Sequence, residues 1–212
     1  MKITVYSTKG SAWKTPIATN IALDREYAIW TNEPYHVFDG FIPDNRLISL
    51  DLNDAFPEIP DNIDIVFDLA GSISNSSSSI LTAISQSDVV IVPIYNEVKS
   101  IHAWINTISE VLQFNKNVFV IATKLRKKGK NDIFRNWKDS ADCLNITKMI
   151  KAKFGDKIPV FPLKYSEIFD TIFEKEKSIS QIMQESGLNK YLYKEVSKQF
   201  DKIYKIIDFY AK

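Results

Sequence analysis

The chain has 212 residues, 45% hydrophobic and 25% charged, a balance that fits one globular domain over residues 1–212 and argues against disorder. With 27 Lys and Arg against 26 Asp and Glu, the net charge is +1, so a globally basic nucleic-acid binder is not expected, although local basic patches stay open. The one cysteine, Cys143, excludes an internal disulfide and a cysteine metal cluster, and His36 and His102 are too far apart for zinc-ligand spacing.

In chain order, short apolar runs rich in Val, Ile and aromatic residues fall at 3–6, 27–30, 47–50, 63–67, 89–94, 118–122 and 158–161. Most lack strict alternation, which suits strands covered on both faces, as in a parallel sheet. The longest apolar stretch, 89–95, is broken by Pro93 and is too short to cross a bilayer. No secretory signal is read at the N-terminus, so a cytoplasmic protein with no membrane partner is expected. Helical patterns occupy 16–24, 79–86, 100–114, 132–154, 166–175 and 189–210. This alternation predicts an α/β fold: a mainly parallel sheet of about seven strands with helices on both faces. The six glycines, at 10, 40, 71, 129, 155 and 187, all fall at proposed junctions. The serine run 76–79 is expected to cap the next helix. Trp104, Trp137 and Cys143 read as packing residues.

Two landmarks carry chemistry. After the first apolar run comes Thr8-Lys9-Gly10-Ser11-Ala12-Trp13-Lys14-Thr15-Pro16, then a helix. A strand, a short loop ending in Lys-Thr and a helix is the layout of a phosphate-binding loop. Backbone N–H groups face the phosphates, the lysine neutralises charge and the hydroxyl holds a metal. An ordinary surface loop before a helix would read much the same. The second landmark is the apolar strand 63–67 ending in Asp68-Leu69-Ala70-Gly71. An aspartate at the carboxyl end of such a strand can hold Mg²⁺ opposite the lysine. The two in this order are hard to obtain by chance.

These residues resemble the ParA/MinD family of P-loop ATPases with a deviant Walker A motif, and most closely the short plasmid-type ParA partition proteins. The family loop Lys-Gly-Gly-x-Gly-Lys-Thr/Ser-Thr corresponds to Lys9–Pro16. Asn20-Ile21-Ala22 resembles the family's Asn-Leu-Ala, Trp30-Thr31-Asn32-Glu33-Pro34 its Asp-x-Asp-Pro, and Asp68-Leu69-Ala70-Gly71 its Walker B end. The resemblance implies a P-loop NTPase fold and an ATPase that binds ATP and Mg²⁺ and forms a nucleotide-dependent homodimer. The nucleotide would lie on Gly10, Ser11, Ala12, Trp13, Lys14, Thr15 and Pro16, with Thr15 and Asp68 at the metal. Lys14 would hold the phosphates, Lys9 would reach across the dimer and Glu33 would position water. It further implies non-specific DNA binding, association with the nucleoid and a ParB-type partner.

The loop departs from the family pattern at Ser11, Trp13 and Pro16, where the family has Gly, Gly and Thr. A non-glycine residue forced to positive φ costs about 1 kcal/mol or more. Either the loop keeps a normal cradle, with strained backbone and the Trp13 indole pointing away from the phosphates, or it collapses and the indole covers the phosphate site; three departures in eight residues favour the collapsed loop. They also leave open a non-catalytic ParA-like binding module. Two basic features remain. Arg126, Lys127 and Lys128 lie in a cationic segment, 124–130, after a strand. Lys190, Lys194, Lys198 and Lys202 recur every fourth residue on the last helix, opposite an apolar face of Leu192, Val196, Phe200, Ile203, Ile207 and Tyr210. Each basic group is either a solvated face or a non-specific DNA contact, and the segment 124–130, at the carboxyl edge of the sheet, could instead contact nucleotide phosphates. A MinD-like membrane-associated helix is the third, least favoured reading.

Overall fold

The computed structural model describes residues 1–51, 53–71, 78–97, 101–129 and 132–211. Seven strands, β1 (Lys2–Val5), β2 (Ala28–Thr31), β3 (Leu47–Ser49), β4 (Ile65–Asp68), β5 (Val89–Ile94), β6 (Val118–Leu125) and β7 (Val160–Lys164), form one sheet in the order β3-β2-β4-β1-β5-β6-β7. Every strand pair is parallel.

Alternate side chains enter two cores, as the period of a strand requires. Ile3, Val5, Phe119 and Ile121 pack on one face with helices α1 (Lys14–Arg25), α5 (Ile168–Lys175), α6 (Ile179–Gln184) and α7 (Gly187–Tyr210). Tyr6, Val118, Val120 and Ala122 pack on the other with α2 (Ser78–Gln86), α3 (Ile101–Phe114) and α4 (Ala141–Phe154). Both sheet faces are covered, which is why the strand segments read as continuous apolar runs. Trp104 and Cys143 are core residues, whereas Trp137 is only partly buried.

Four details differ from the sequence expectations. The pattern over 132–154 is a helix only from Ala141, because Ser140 caps it by accepting from the Cys143 N–H, and Asn136 caps a short turn at Trp137–Asp139. A short helix that no sequence pattern marked, α6, follows α5 and starts with a reciprocal capping box between Ser178 and Gln181. Leu192 is half exposed at 50%, so the buried stripe of α7 begins at Val196. Positive φ occurs at Gly40 and Gly155, but in the first loop it falls on Ser11 and Trp13 and not on Gly10. Of the serine run 76–79, residues 76 and 77 lie outside the described residues, as does Lys130 of the basic segment.

Sheet register positions the site. Val5 of β1 lies beside Asp68 of β4, and Asp68 lies beside Thr31 of β2. Three segments far apart in sequence therefore end side by side at one carboxyl edge, where parallel sheets bind ligands. The turn after β4 approaches the first loop closely: a Cβ on Gly71 would sit 3.0 Å from the Thr8 carbonyl oxygen, so glycine is needed there.

Candidate phosphate and metal site

The loop between β1 and α1 is anchored where it leaves the strand. The Tyr6 N–H donates to the Ile91 carbonyl at 3.0 Å, and Thr8 and Thr107 share a 2.6 Å hydroxyl–hydroxyl bond. Between these anchors and α1, Ser11 (φ 61) and Trp13 (φ 67) take the left-handed conformation. These are the two positions where the family pattern has glycine. The backbone thus accepts the strain that the collapsed-loop expectation assumed it would refuse.

Tertiary contacts explain how Trp13 holds that angle. Its ring lies 4.4 Å from Phe169 and 5.6 Å from Tyr165, and the Lys124 ammonium sits 5.7 Å from its face. The indole leans on α5 and does not line the cleft that contains Thr15 and Asp68. Pro16 is the third residue of α1, inside the first turn, where its missing N–H breaks no intrahelical bond. No side chain caps this helix start, and no acidic residue occupies its first turn. The positive end of the α1 dipole is left for something else.

Lys14, Thr15, Glu33 and Asp68 come together here. The Lys14 ammonium, 7% exposed, lies 4.0 Å from the Glu33 carboxylate. Thr15, Glu33 and Asp68 line one cleft of about 330 Å³. Asp68 is fully buried, and neither carboxylate oxygen has a hydrogen-bond partner among the described residues. Burial pushes its carboxyl up to about 7; the Thr15 hydroxyl and the Lys14 ammonium nearby oppose that rise, and Glu33 adds to it. A buried, unpartnered carboxylate is costly unless a cation completes it. Beside a threonine hydroxyl, its hard oxygen donors suit Mg²⁺. Thr15 and Asp68 therefore fit the metal, and Lys14 with the open start of α1 fits a phosphate.

Lys9 is elsewhere. Its ammonium makes a 2.8 Å ion pair with Glu97, whose same oxygen accepts from the Tyr95 hydroxyl at 2.8 Å. The hydrogen bond to Glu97 raises the Lys9 pKa. Gly10 and Ser11 are exposed, while Ala12 is buried.

Asn32 was not singled out from the sequence. It is 1% exposed, donates to the Ser79 hydroxyl at 2.7 Å and accepts from the Ala70 N–H at 2.7 Å. It thereby ties the end of β2 to the turn after β4 and to α2, fixing Glu33 and Asp68 relative to one another. A signal did exist: a polar residue between a buried strand and Glu33. Asn20 does similar work behind the site, accepting from the Ile179 N–H at 2.8 Å and donating to the Tyr204 hydroxyl at 3.0 Å.

The basic candidates are not gathered at the cleft. Lys124 and Leu125 still belong to β6, which is irregular there, with Lys124 at φ 57. Burial, then the neighbouring Arg126, lowers the Lys124 pKa. Arg126 stacks 3.6 Å from the Tyr165 ring, Lys127 lies 5.3 Å from the Phe134 ring, and Lys128 pairs with Asp142 at 2.5 Å. Lys190, Lys194, Lys198 and Lys202 are all exposed on α7. Among the described residues, no helix is long and apolar enough to cross a membrane.

No protein-family model matches the chain, and no curated protein matches its sequence. Solved structures do resemble it. Apo McdA of Cyanothece aligns over 97% of this chain and 98% of its own, with a TM-score of 0.70 at 13% identity. A plasmid partition protein of Borrelia burgdorferi bound to AMPPNP covers 96% and 98%, with a TM-score of 0.58 at 13% identity. The MinD cell division protein of Aquifex aeolicus covers 84% and 87%, with a TM-score of 0.53 at 15% identity. The chain therefore has the α/β fold shared by ParA-like partition proteins, McdA and MinD.

Proposed function

We propose that the chain is a ParA-type partition or cargo-positioning protein, switched by ATP and Mg²⁺. The observation that carries this reading is Asp68: a fully buried carboxylate, unpartnered on both oxygens, beside Lys14 and Thr15 at an uncapped helix start. In this reading the N–H groups of residues 10–15 and the α1 dipole receive the phosphates. Lys14 neutralises them, and Thr15 and Asp68 hold the metal. Bound Mg²⁺ would supply the charge that draws electron density from the transferring phosphoryl group. Glu33, poised by Lys14, orients the attacking water, and Lys9 exchanges Glu97 for the phosphates of a second copy. The chain thus acts as an ATPase whose homodimer forms on nucleotide binding. The AMPPNP-bound partition protein with the same fold supports this reading.

DNA is the proposed track and a ParB-type protein the proposed regulator. The four exposed lysines of α7 offer phosphate contacts without base readout, with Arg126–Lys128 as an auxiliary group. Replacing all four by glutamate should abolish salt-sensitive duplex binding without unfolding the chain; unchanged affinity at low salt rejects α7 as the DNA face.

A second reading, a ParA-like module that binds partners without hydrolysing ATP, is favoured by Pro16, which offers a nucleotide neither N–H nor hydroxyl. Titrating Mg-ATP while following tryptophan fluorescence and molar mass separates the two. Binding with a doubling of mass, followed by turnover, is expected of the switch. No response at millimolar Mg-ATP rejects it in favour of the module.

A further inference from the structure

His36 has no role in the reading above, yet its imidazole lines the same cleft as Thr15, Pro16, Glu33 and Asp68. Its side chain is only 11% exposed, and it stacks on Phe38 with ring centroids 5.7 Å apart and planes 20° apart. Nδ1 is buried and has no hydrogen-bond partner among the described residues; the Asp39 carboxylate lies 3.8 Å from it, beyond hydrogen-bond reach. An imidazole held this firmly, with a nitrogen left unspent, is unusual in a wall.

The cleft supplies the reason. Pro16 has removed one donor from the first turn of α1. Two carboxylates, Glu33 and Asp68, face the same space and would repel a phosphate entering it. Three lining side chains can donate. Thr15 is committed to the metal, and Tyr35 is 96% exposed. His36 is the buried one, and its ring can present an N–H in either tautomer.

We infer that His36 is a phosphate-binding residue: its ring N–H donates to the terminal phosphate of the nucleotide whose phosphates Lys14 neutralises and whose metal Thr15 and Asp68 hold. It replaces from β2's trailing segment the donor that Pro16 removes from α1. This rests on the nucleotide reading above. A diphosphate, which ends one phosphate short, does not reach it.

The test is calorimetric titration of the full chain with Mg-AMPPNP and, separately, Mg-ADP, for the wild type, His36→Ala and His36→Gln. His36→Ala is expected to weaken Mg-AMPPNP by about tenfold, as loss of a hydrogen bond to a charged oxygen does. Mg-ADP should be unchanged, and His36→Gln, which keeps a donor, should recover most of the loss. A mere packing role would weaken both nucleotides together and would not be rescued by glutamine, and that result overturns the assignment. So does equal affinity of wild type and His36→Ala for Mg-AMPPNP. If the wild type binds neither nucleotide, the nucleotide reading falls and the His36 assignment falls with it.

Discussion

The two ends of α1 share one backbone conformation and differ in everything that surrounds it. Trp13 before the helix has φ 67 and ψ 32; Glu26 after it has φ 56 and ψ 30. At the C-terminal end the Glu26 N–H donates to the Ala22 carbonyl, and so does the Tyr27 N–H at 2.9 Å. The left-handed turn there satisfies an orphaned carbonyl group, the ordinary reason for such a cap. At the N-terminal end no side chain caps the N–H groups, and a buried carboxylate stands unpartnered beside them. Strain that closes one end of the helix leaves the other open. A left-handed tryptophan that costs about 1 kcal/mol without closing the helix is what the proposed phosphate site would require.

Substitutions at the two ends put that contrast to the test. The largest effect on nucleotide binding is expected from Lys14→Ala, which removes the buried ammonium 4.0 Å from Glu33 and leaves two carboxylates facing the cleft. Calorimetry should show Mg-AMPPNP affinity falling by roughly 100-fold or more, about 2.7 kcal/mol; an unaltered affinity would mean that the phosphates lie elsewhere.

Asp68→Asn comes next. The native carboxyl titrates at about 7 and its ordinary value is 3.8, so between these values the folded chain holds a proton that the unfolded chain has released. Stability therefore falls as pH rises from about 4 to about 7, and the penalty is complete above 7. The amide that replaces the carboxylate carries no such charge, so the ligand-free variant should gain roughly 2–4 kcal/mol in urea unfolding at pH 8 and little near pH 4.5. It should also lose magnesium-dependent nucleotide binding. An equal or lower stability at pH 8 would show that Asp68 already has its partner.

Trp13→Gly and Glu26→Gly both relieve a left-handed residue, with opposite expected signs. Trp13→Gly gives up the indole packed on Phe169 and Tyr165, which outweighs the relief, so the chain should lose about 1–2 kcal/mol. Glu26→Gly gives up an exposed side chain and should gain about 0.5–1 kcal/mol. Chemical denaturation reads both. A gain from Trp13→Gly would mean that the aromatic contacts do not hold the loop.

These contrasts also mark what was legible beforehand. All seven strands overlap the apolar runs, with ends within about three residues of them, because a sheet buried on both faces writes itself as continuous hydrophobicity. Lys14, Thr15, Glu33 and Asp68 could be nominated one by one from strand and helix ends; that Thr15, Glu33 and Asp68 line one cleft, with Lys14 beside Glu33, follows from register, which places Val5, Asp68 and Thr31 side by side. The conformation of Trp13 was not legible. Propensity at a single position argues against positive φ, and the aromatic partners that overrule it lie about 150 residues away in β7's trailing turn and α5. His36 and Asn32 were missed for a related reason: a lone polar residue near a strand end reads as surface until its neighbours are known. The premature helix over 132–140 shows the reverse error, an amphipathic pattern overruled by the short polar caps Asn136 and Ser140.

The proposed switch requires the open end of α1 to be a metal-dependent triphosphate site despite its tryptophan and proline. The decisive experiment is calorimetric titration of the wild-type chain with AMPPNP at pH 8, with and without magnesium. Saturable binding in the micromolar range is expected with magnesium, and at least tenfold weaker binding without it, since Asp68 is ionised at that pH and needs the cation. No heat of binding up to millimolar AMPPNP, or the same affinity with and without magnesium, would refute the site.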